Sequence, residues 1–488
     1  MGREDKKVDI HSLKRILRFT AATLTVTSLF FTFPVIGGVY YGESVENAAL
    51  FVAVLFITSF LVFSLFAEEK PRLDIKEAIF AVNLIWLSVS LAGGALLYII
   101  TQIPFYDAFF EAVSGFTTTG ATIYEDIEAL PKSALIARSL MHWLGGMGIV
   151  VLAVGLLSLI NPAGSLTLFK SESTGINLEK PTPKIKETAI RLWIIYIALT
   201  VFDLLALKLA GMPFFDALNH AFSTVSTGGF STKNASLGAW GENSAVIWIT
   251  TVFMILAGTN FIAHLRLLSG DWRGYASVEV RWYLGIFILL STALWLIRPQ
   301  TAEDDALARS FFAVASILTT TGFVVEDYEQ LGHVTVALIF TAMLIGGCAG
   351  STSGGVKVIR YLVLFKNLSL QIRQTLHPLA HISLSIDKKR ISQNILSKVS
   401  GFFFIYAITT AVLGLFLYGN GHDFLTSVSA AVATVGNIGP GFSMAGPTES
   451  FYIFSPAEKV VLAIFMIVGR LEFYTIFALF SKELYKRF

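Results

Sequence analysis

The stretch "SGFTTTGATI", residues 114–123, lies between two long apolar runs. Adjacent β-branched threonines and glycines suit a helix poorly, because they lose the most side-chain or backbone freedom there. Similar stretches return at "STVSTGGFST" (223–232), "SILTTTGFVV" (316–325) and "ATVGNIGPGF" (433–442). An offset of 109 carries Ser114, Thr118 and Gly120 to Ser223, Thr227 and Gly229. An offset of 202 carries Thr117–Gly120 to Thr319–Gly322, and one of 316 carries Asp107, Thr118 and Gly120 to Asp423, Thr434 and Gly436. Self-similarity of this kind marks a repeated structural unit.

The 488 residues are 54% hydrophobic and 14% charged, against roughly a quarter charged in soluble domains. Mean hydropathy is +0.68. Apolar runs near 17–40, 48–66, 78–101, 135–160, 187–210, 244–268, 282–297, 333–362, 398–418 and 458–481 each approach the roughly 20 residues that cross a bilayer as a helix. The helix of the short run at 282–297 is expected to begin before Arg281. The first run is too long for the core of a signal peptide, so it reads as a retained membrane helix. With the N-terminus inside, 28 of the 36 basic residues fall in cytoplasmic segments. That asymmetry predicts ten spans with both termini in the cytoplasm. The outer segments lean acidic, with Glu125, Asp126, Glu128, Glu326, Asp327 and Glu329 among them. Such mouths concentrate cations, and they are equally ordinary solvated loops.

In every copy a long apolar run is followed by a short turn, about ten half-apolar residues, the Thr/Gly stretch and another long run. The ten-residue piece is too short to span. It predicts a half-helix that enters from outside and returns as extended chain. Asp107, Asp216 and Asp423 then complement the positive ends of their half-helices. The third copy has Arg309 at that position, with Asp305 nearby. Non-helical backbone at membrane depth requires a surround of protein or a water-filled cavity. Four such segments around one axis offer carbonyl rings that replace the hydration shell of a monovalent cation. The expected filter comprises Thr117, Thr118, Thr119 and Gly120; Ser226, Thr227, Gly228 and Gly229; Thr319, Thr320, Thr321 and Gly322; and Thr434, Val435, Gly436 and Asn437. The alternative is that these stretches are tight loops or small-residue packing sites.

On these motifs, together with "GGCAGSTSGGVK" (346–357) and "VGRLEFY" (468–474), the chain resembles the Trk/Ktr/HKT superfamily of potassium transporters, within it the bacterial TrkH/TrkG type, over its whole length. The resemblance implies an all-α polytopic fold with ten transmembrane helices and four re-entrant pore half-helices. Its units would be 1–76, an N-terminal pair of helices; 77–162, 163–270, 271–370 and 371–488, the four pore repeats. It implies potassium as the transported ion bound at the filter, a homodimer in a bacterial or archaeal cytoplasmic membrane, and a cytosolic TrkA-like ring that alone binds nucleotide. In the HKT branch a serine at the first filter glycine accompanies sodium preference, so Gly120, Gly229, Gly322 and Gly436 point to potassium.

Five glycines in 346–355 cannot hold a regular helix, at about 1 kcal/mol each. Gly346, Gly347, Gly350, Ser351, Thr352, Ser353, Gly354, Gly355 and Lys357 are therefore expected to form a break below the filter. In the family this is a loop that obstructs the pore; a glycine-rich packing kink is the alternative. Arg470 lies mid-span, where a charge costs at least about 2.5–3.5 kcal/mol unless it faces protein or water. It is expected to face the cavity below the filter, or else to be a structural arginine bonded to carbonyls. Glu472, two positions on, points elsewhere. His142, Asn83, Asn260 and His264 are expected to make interhelical hydrogen bonds. Cys348, the only cysteine, forms no disulfide within the chain. A net charge of +2 points to no nucleic-acid partner, and lipid is the expected surround. No P-loop, GxGxxG, HExxH or nucleophile elbow occurs, so an enzyme is disfavoured. A secondary transporter with inverted repeats is disfavoured because the four copies share one orientation. The basic stretch Lys388-Lys389-Arg390 is a candidate contact for the ring, a positive-inside signal or a lipid-headgroup contact.

Overall fold

The computed structural model describes residues 10–66, 73–155, 183–298, 305–377, 384–387 and 389–485. The N-terminal basic residues Arg3, Lys6 and Lys7, residue Lys388, and the boundary expected near 162 lie outside them. Helices α1 (Ile10–Phe30) and α2 (Thr32–Tyr40) run on as one apolar segment, and α3 (Glu46–Leu65) pairs with α1. Helix α4 (Ile75–Thr101) starts at a capping box, in which Asp74 accepts from Glu77 N and Glu77 returns to Asp74 N. There follow α5 (Phe105–Phe116), α6 (Lys132–Gly155), α7 (Pro183–Leu209), α8 (Phe214–Val225), α9 (Ser244–Ala257), α10 (Phe261–Leu268), α11 (Val278–Ile297) and α12 (Ala306–Leu318). The last third holds α13 (His333–Ile345), α14 (Val358–Leu376), a two-residue hairpin of Ser385–Ile386 with Lys389–Arg390, α15 (Gln393–Gly419), α16 (Phe424–Gly436), α17 (Pro456–Arg470) and α18 (Tyr474–Phe477).

Among the described residues six helices are long and apolar enough to cross a membrane, or eight if each bent pair is one crossing. Two expected straight spans are therefore corrected. The 244–268 run turns by 95° between α9 and α10, and the 458–481 run turns by 107° after α17. The first turn falls at Gly258–Asn260, where a capping Asn260 starts a new helix. The second falls at Glu472 and Phe473, both with positive φ. The short run does begin before Arg281, at Val278, capped by Ser277.

Helices α5, α8, α12 and α16 have 12 or 13 residues. At 1.5 Å per residue they are about 20 Å long, shorter than a hydrocarbon core. Each packs on the long helix before it, and each also packs on the closing helix of another unit: α6 on α8, α9 on α12, α13 on α16, and α17 on α5. The series closes on itself. The chain's two ends are thereby joined into a ring of four units, with α1–α3 packed outside the first.

Candidate functional site

The four short helices end in the same way. Thr118 N donates to Gly115 O and Thr119 N to Ser114 O, the paired bonds of a Schellman cap. The same two bonds recur at Thr227 and Gly228, at Thr320 and Thr321, and at Asn437 and Ile438. The residue that such a cap needs in the left-handed region is usually glycine. Here it is Thr118 (φ 51°), Thr227 (54°), Thr320 (58°) and Asn437 (53°). A β-branched residue in that region is a true outlier, and strain repeated at one position of three units marks a functional segment.

Two residues after each cap stands a glycine of positive φ: Gly120 (83°), Gly229 (87°), Gly322 (84°) and Gly439 (105°). A Cβ on Gly120 would overlap the carbonyl oxygen of Gly228, one on Gly229 that of Thr321, and one on Gly322 that of Ile438. On Gly439 it would sit 2.8 Å from Thr119 O. The order one to two, two to three, three to four, four to one is a closed ring of backbone. The ring has room for glycine alone, both in space and in φ. Above it lies one cavity of about 220 Å³ that all four glycines line, with Tyr124, Glu125, Lys233 and Glu449 on its walls. The helix ends, each carrying about half a negative charge, converge on the ring. Carbonyl oxygens, helix C-termini and no cationic side chain within the ring suit a dehydrated monovalent cation.

The fourth segment departs from its expected register. Thr434, Val435 and Gly436 belong to the last turn of α16, and Asn437 takes the place of Thr118. The ring glycine is Gly439, three residues beyond Gly436; Ile438 and Gly439 were not expected in the filter. The physical cause is at the other end of the helix. Asp107 and Asp216 sit inside the first turn, whereas Asp423 and Asp305 are N-caps, accepting from Thr426 N and Ala308 N. Matching Asp423 to Asp107 therefore shifted the copy by those residues. The other expected filter residues, Thr117–Gly120, Ser226–Gly229 and Thr319–Gly322, lie at the caps and ring as described.

Residues 346–357 connect α13 to α14 and lie against the other side of the ring. Gly355 N donates to Gly436 O at 2.9 Å and Gly354 N to Thr320 Oγ1 at 2.7 Å. Thr352 Oγ1 lies 3.1 Å from both Val225 O and Ala257 O. The bend after α9 holds the loop's other edge: Cys348 N donates to Gly258 O, Phe261 N to Gly350 O, and Asn260 Nδ2 to Ala349 O at 2.6 Å. Gly346, Gly350, Gly355 and Lys357 take positive φ, Ser351 and Ser353 are buried, Gly347 is closed in by the Ser353 side chain, and Gly354 by the Gly436 carbonyl.

Arg470 is buried, and its Nη1 donates to Thr352 O at 3.1 Å. Its Nε and Nη2 have no hydrogen-bond partner among the described residues. Glu472 is not its partner; it accepts from Arg360 at 2.7 Å and pairs with Lys357 at 3.5 Å. Half-buried Asn83 bonds Thr475 O, buried His142 bonds Gly115 O and buried His264 bonds Leu256 O, each between helices as expected, whereas Asn260 bonds Ala349 O in the loop. Two of the basic residues that fall outside the cytoplasmic segments, Arg138 and Lys459, are not solvated. Arg138 is buried against Glu111, and Lys459 against Asp107, each at 2.7 Å. At the mouth the Asn234 amide donates to Asp126 and holds that carboxyl below its ordinary range.

The family model for the TrkH cation transport protein matches residues 44–278 and 282–487. The Trk system potassium uptake protein TrkH of Salmonella typhimurium is 37% identical over 432 residues, covering 86% of this chain and 88% of its own. TrkG of Escherichia coli strain K12 is 34% identical over 464 residues, 92% and 93% of the two chains. The crystal structure of the potassium transporter TrkH from Vibrio parahaemolyticus superposes with a TM-score of 0.88 at 33% identity, over 97% of this chain and 100% of that one.

Proposed function

The chain belongs to the TrkH cation transport family, and from that premise we propose that it is the potassium-conducting subunit of a Trk-type uptake system. The observation that carries the reading is the closed ring in which each glycine abuts a carbonyl of the next unit. In this reading ten spans and four re-entrant half-helices form the units 1–76, 77–162, 163–270, 271–370 and 371–488. Potassium enters from the acidic mouth, sheds water and is held by carbonyls of Thr117–Gly120, Ser226–Gly229, Thr319–Gly322 and Gly436–Gly439. The loop 346–357 closes the path beneath, pinned by Arg470 and by its bonds to the second, third and fourth segments. Opening withdraws that loop. The protein works as a homodimer in a bacterial inner membrane with both termini cytoplasmic, and a TrkA-like ring supplies nucleotide control.

Rubidium flux into proteoliposomes tests the reading. The purified chain passes rubidium down its gradient with no sodium or proton gradient present. A strict requirement for either gradient would replace the pore with a coupled carrier.

A further inference from the structure

Behind the ring, at the junction of the first two segments, lies a buried ion pair that ion conduction as described above does not use. Glu111 comes from α5 and Arg138 from α6, and both are essentially inaccessible to solvent. Arg138 Nε donates to Glu111 Oε1 at 2.7 Å. Glu111 also accepts from Thr122 Oγ1 and from Ile123 N, each at 3.0 Å. Arg138 also donates to Thr122 Oγ1 and to Ser231 O, each at 3.1 Å, and its guanidinium lies 4.1 Å from the centre of the Phe230 ring.

Thr122 stands two residues beyond Gly120, and Ser231 two residues beyond Gly229. One guanidinium thus grips the same position of two adjacent segments, from behind, where each leaves the ring. At the same position of the third and fourth segments, two residues beyond the ring glycine, the bonding groups are neutral. Val324 is bonded through Ser236 Oγ and Gly238 N. Gly441 bonds Ala445 and, at 3.5 Å, Tyr328 Oη. Charge-assisted bonds are shorter and stiffer than neutral ones, and a planar guanidinium fixes several acceptors at once. In the size-fit account of selectivity, a ring discriminates between cations of different radius as far as its oxygens resist collapse onto the smaller one.

We propose that the Glu111–Arg138 pair is a positioning device for ion selectivity, holding the first and second filter segments apart at the spacing that disfavours sodium. The proposal rests on the reading of the ring as a potassium filter. Rubidium and sodium uptake are compared in proteoliposomes for the native chain, Glu111→Gln, Arg138→Lys, and the double variant Glu111→Gln/Arg138→Gln, which leaves no lone buried charge. Thermal unfolding of each reports folding. The sodium-to-rubidium flux ratio is expected to rise about tenfold in the folded variants, the factor that one charge-assisted hydrogen bond carries, and Glu111→Asp is expected to restore part of it. A purely structural role lowers both fluxes together and leaves the ratio unchanged. An unchanged ratio in a folded variant overturns the proposal, and so does failure of all variants to fold, which makes the pair a folding element. A native chain that passes no rubidium or does not favour it over sodium refutes the filter reading instead.

Discussion

The fourth filter segment contains Gly436, Gly439 and Gly441 within six residues, and replacing the first two by alanine in turn separates the two possible registers. Gly436 closes α16 with helical backbone. A Cβ there presses on the Ile438 side chain, with Cδ1 at 2.9 Å, and otherwise makes only ordinary contact with Tyr406 Oη at 3.9 Å; the Ile438 branch end can rotate away for about 1 kcal/mol. Alanine in a helix recovers about 0.5–1 kcal/mol over glycine, so the net change is close to zero. Gly439 is different. Its φ of 105° strains any L-residue by about 1–3 kcal/mol. Its Cβ would lie 2.8 Å from Thr119 O, so ordinary contact requires the backbone to part by about 0.6 Å, beyond the roughly 0.5 Å tolerance of a preorganised site. The atom displaced is itself a ring oxygen. Gly439→Ala is therefore expected to reduce rubidium uptake by roughly tenfold or more, a factor that 1.4 kcal/mol at the ion site supplies. Gly436→Ala should stay within about twofold of native on the same scale. The assay is rubidium uptake in proteoliposomes, paired with growth rescue on limiting potassium and a thermal unfolding curve to show that both variants fold. Loss of uptake in Gly436→Ala with native uptake in Gly439→Ala would refute the register and, with it, the ring.

Three further perturbations bear on the loop beneath the ring. Arg470→Ala removes a charge-assisted bond to Thr352 O and should raise rubidium flux roughly tenfold, by the same hydrogen-bond factor; unchanged flux would detach Arg470 from gating. Thr320→Val keeps the shape but deletes the acceptor of Gly354 N, so the loop is held less tightly and flux should rise several-fold, a loss of about 1 kcal/mol. A fall in flux with intact folding would instead place the hydroxyl in the ion path. Glu472→Gln takes the carboxylate from buried Arg360 and Lys357 and should cost about 3 kcal/mol, read as a lower Tm in detergent; an unchanged Tm would mean that water already screens the triad.

The loop is tied to three of the four segments at once, through Val225, Thr320 and Gly436. On the reading of the loop as a gate, withdrawing it must break those bonds together with that of Arg470. The closing helices are bent where they meet the loop. Gly258–Asn260 and Glu472–Phe473 interrupt α9–α10 and α17–α18 beside the loop, so it is held by short, independently jointed pieces rather than by a continuous rod.

Membrane residence, the fourfold repeat and the break at 346–357 were readable in the amino-acid sequence, because each is a local property: apolar run length, recurrence of Thr and Gly, and helix-breaking glycines. So was the need for Arg470 to find protein or water, since the cost of a bare charge in lipid does not depend on the fold. Tertiary structure alone decided the rest. Gly439 rather than Gly436 closes the ring, because Asp423 caps its helix where Asp107 sits inside its own, and sequence does not say which turn a carboxylate occupies. Arg138 and Lys459 read as outer positive charges until the fold brought Glu111 and Asp107 to them, across 27 and 352 residues of chain. Burial converts such a residue from a solvated charge into a fixed strut, and burial is a property of how units meet, which no single segment contains.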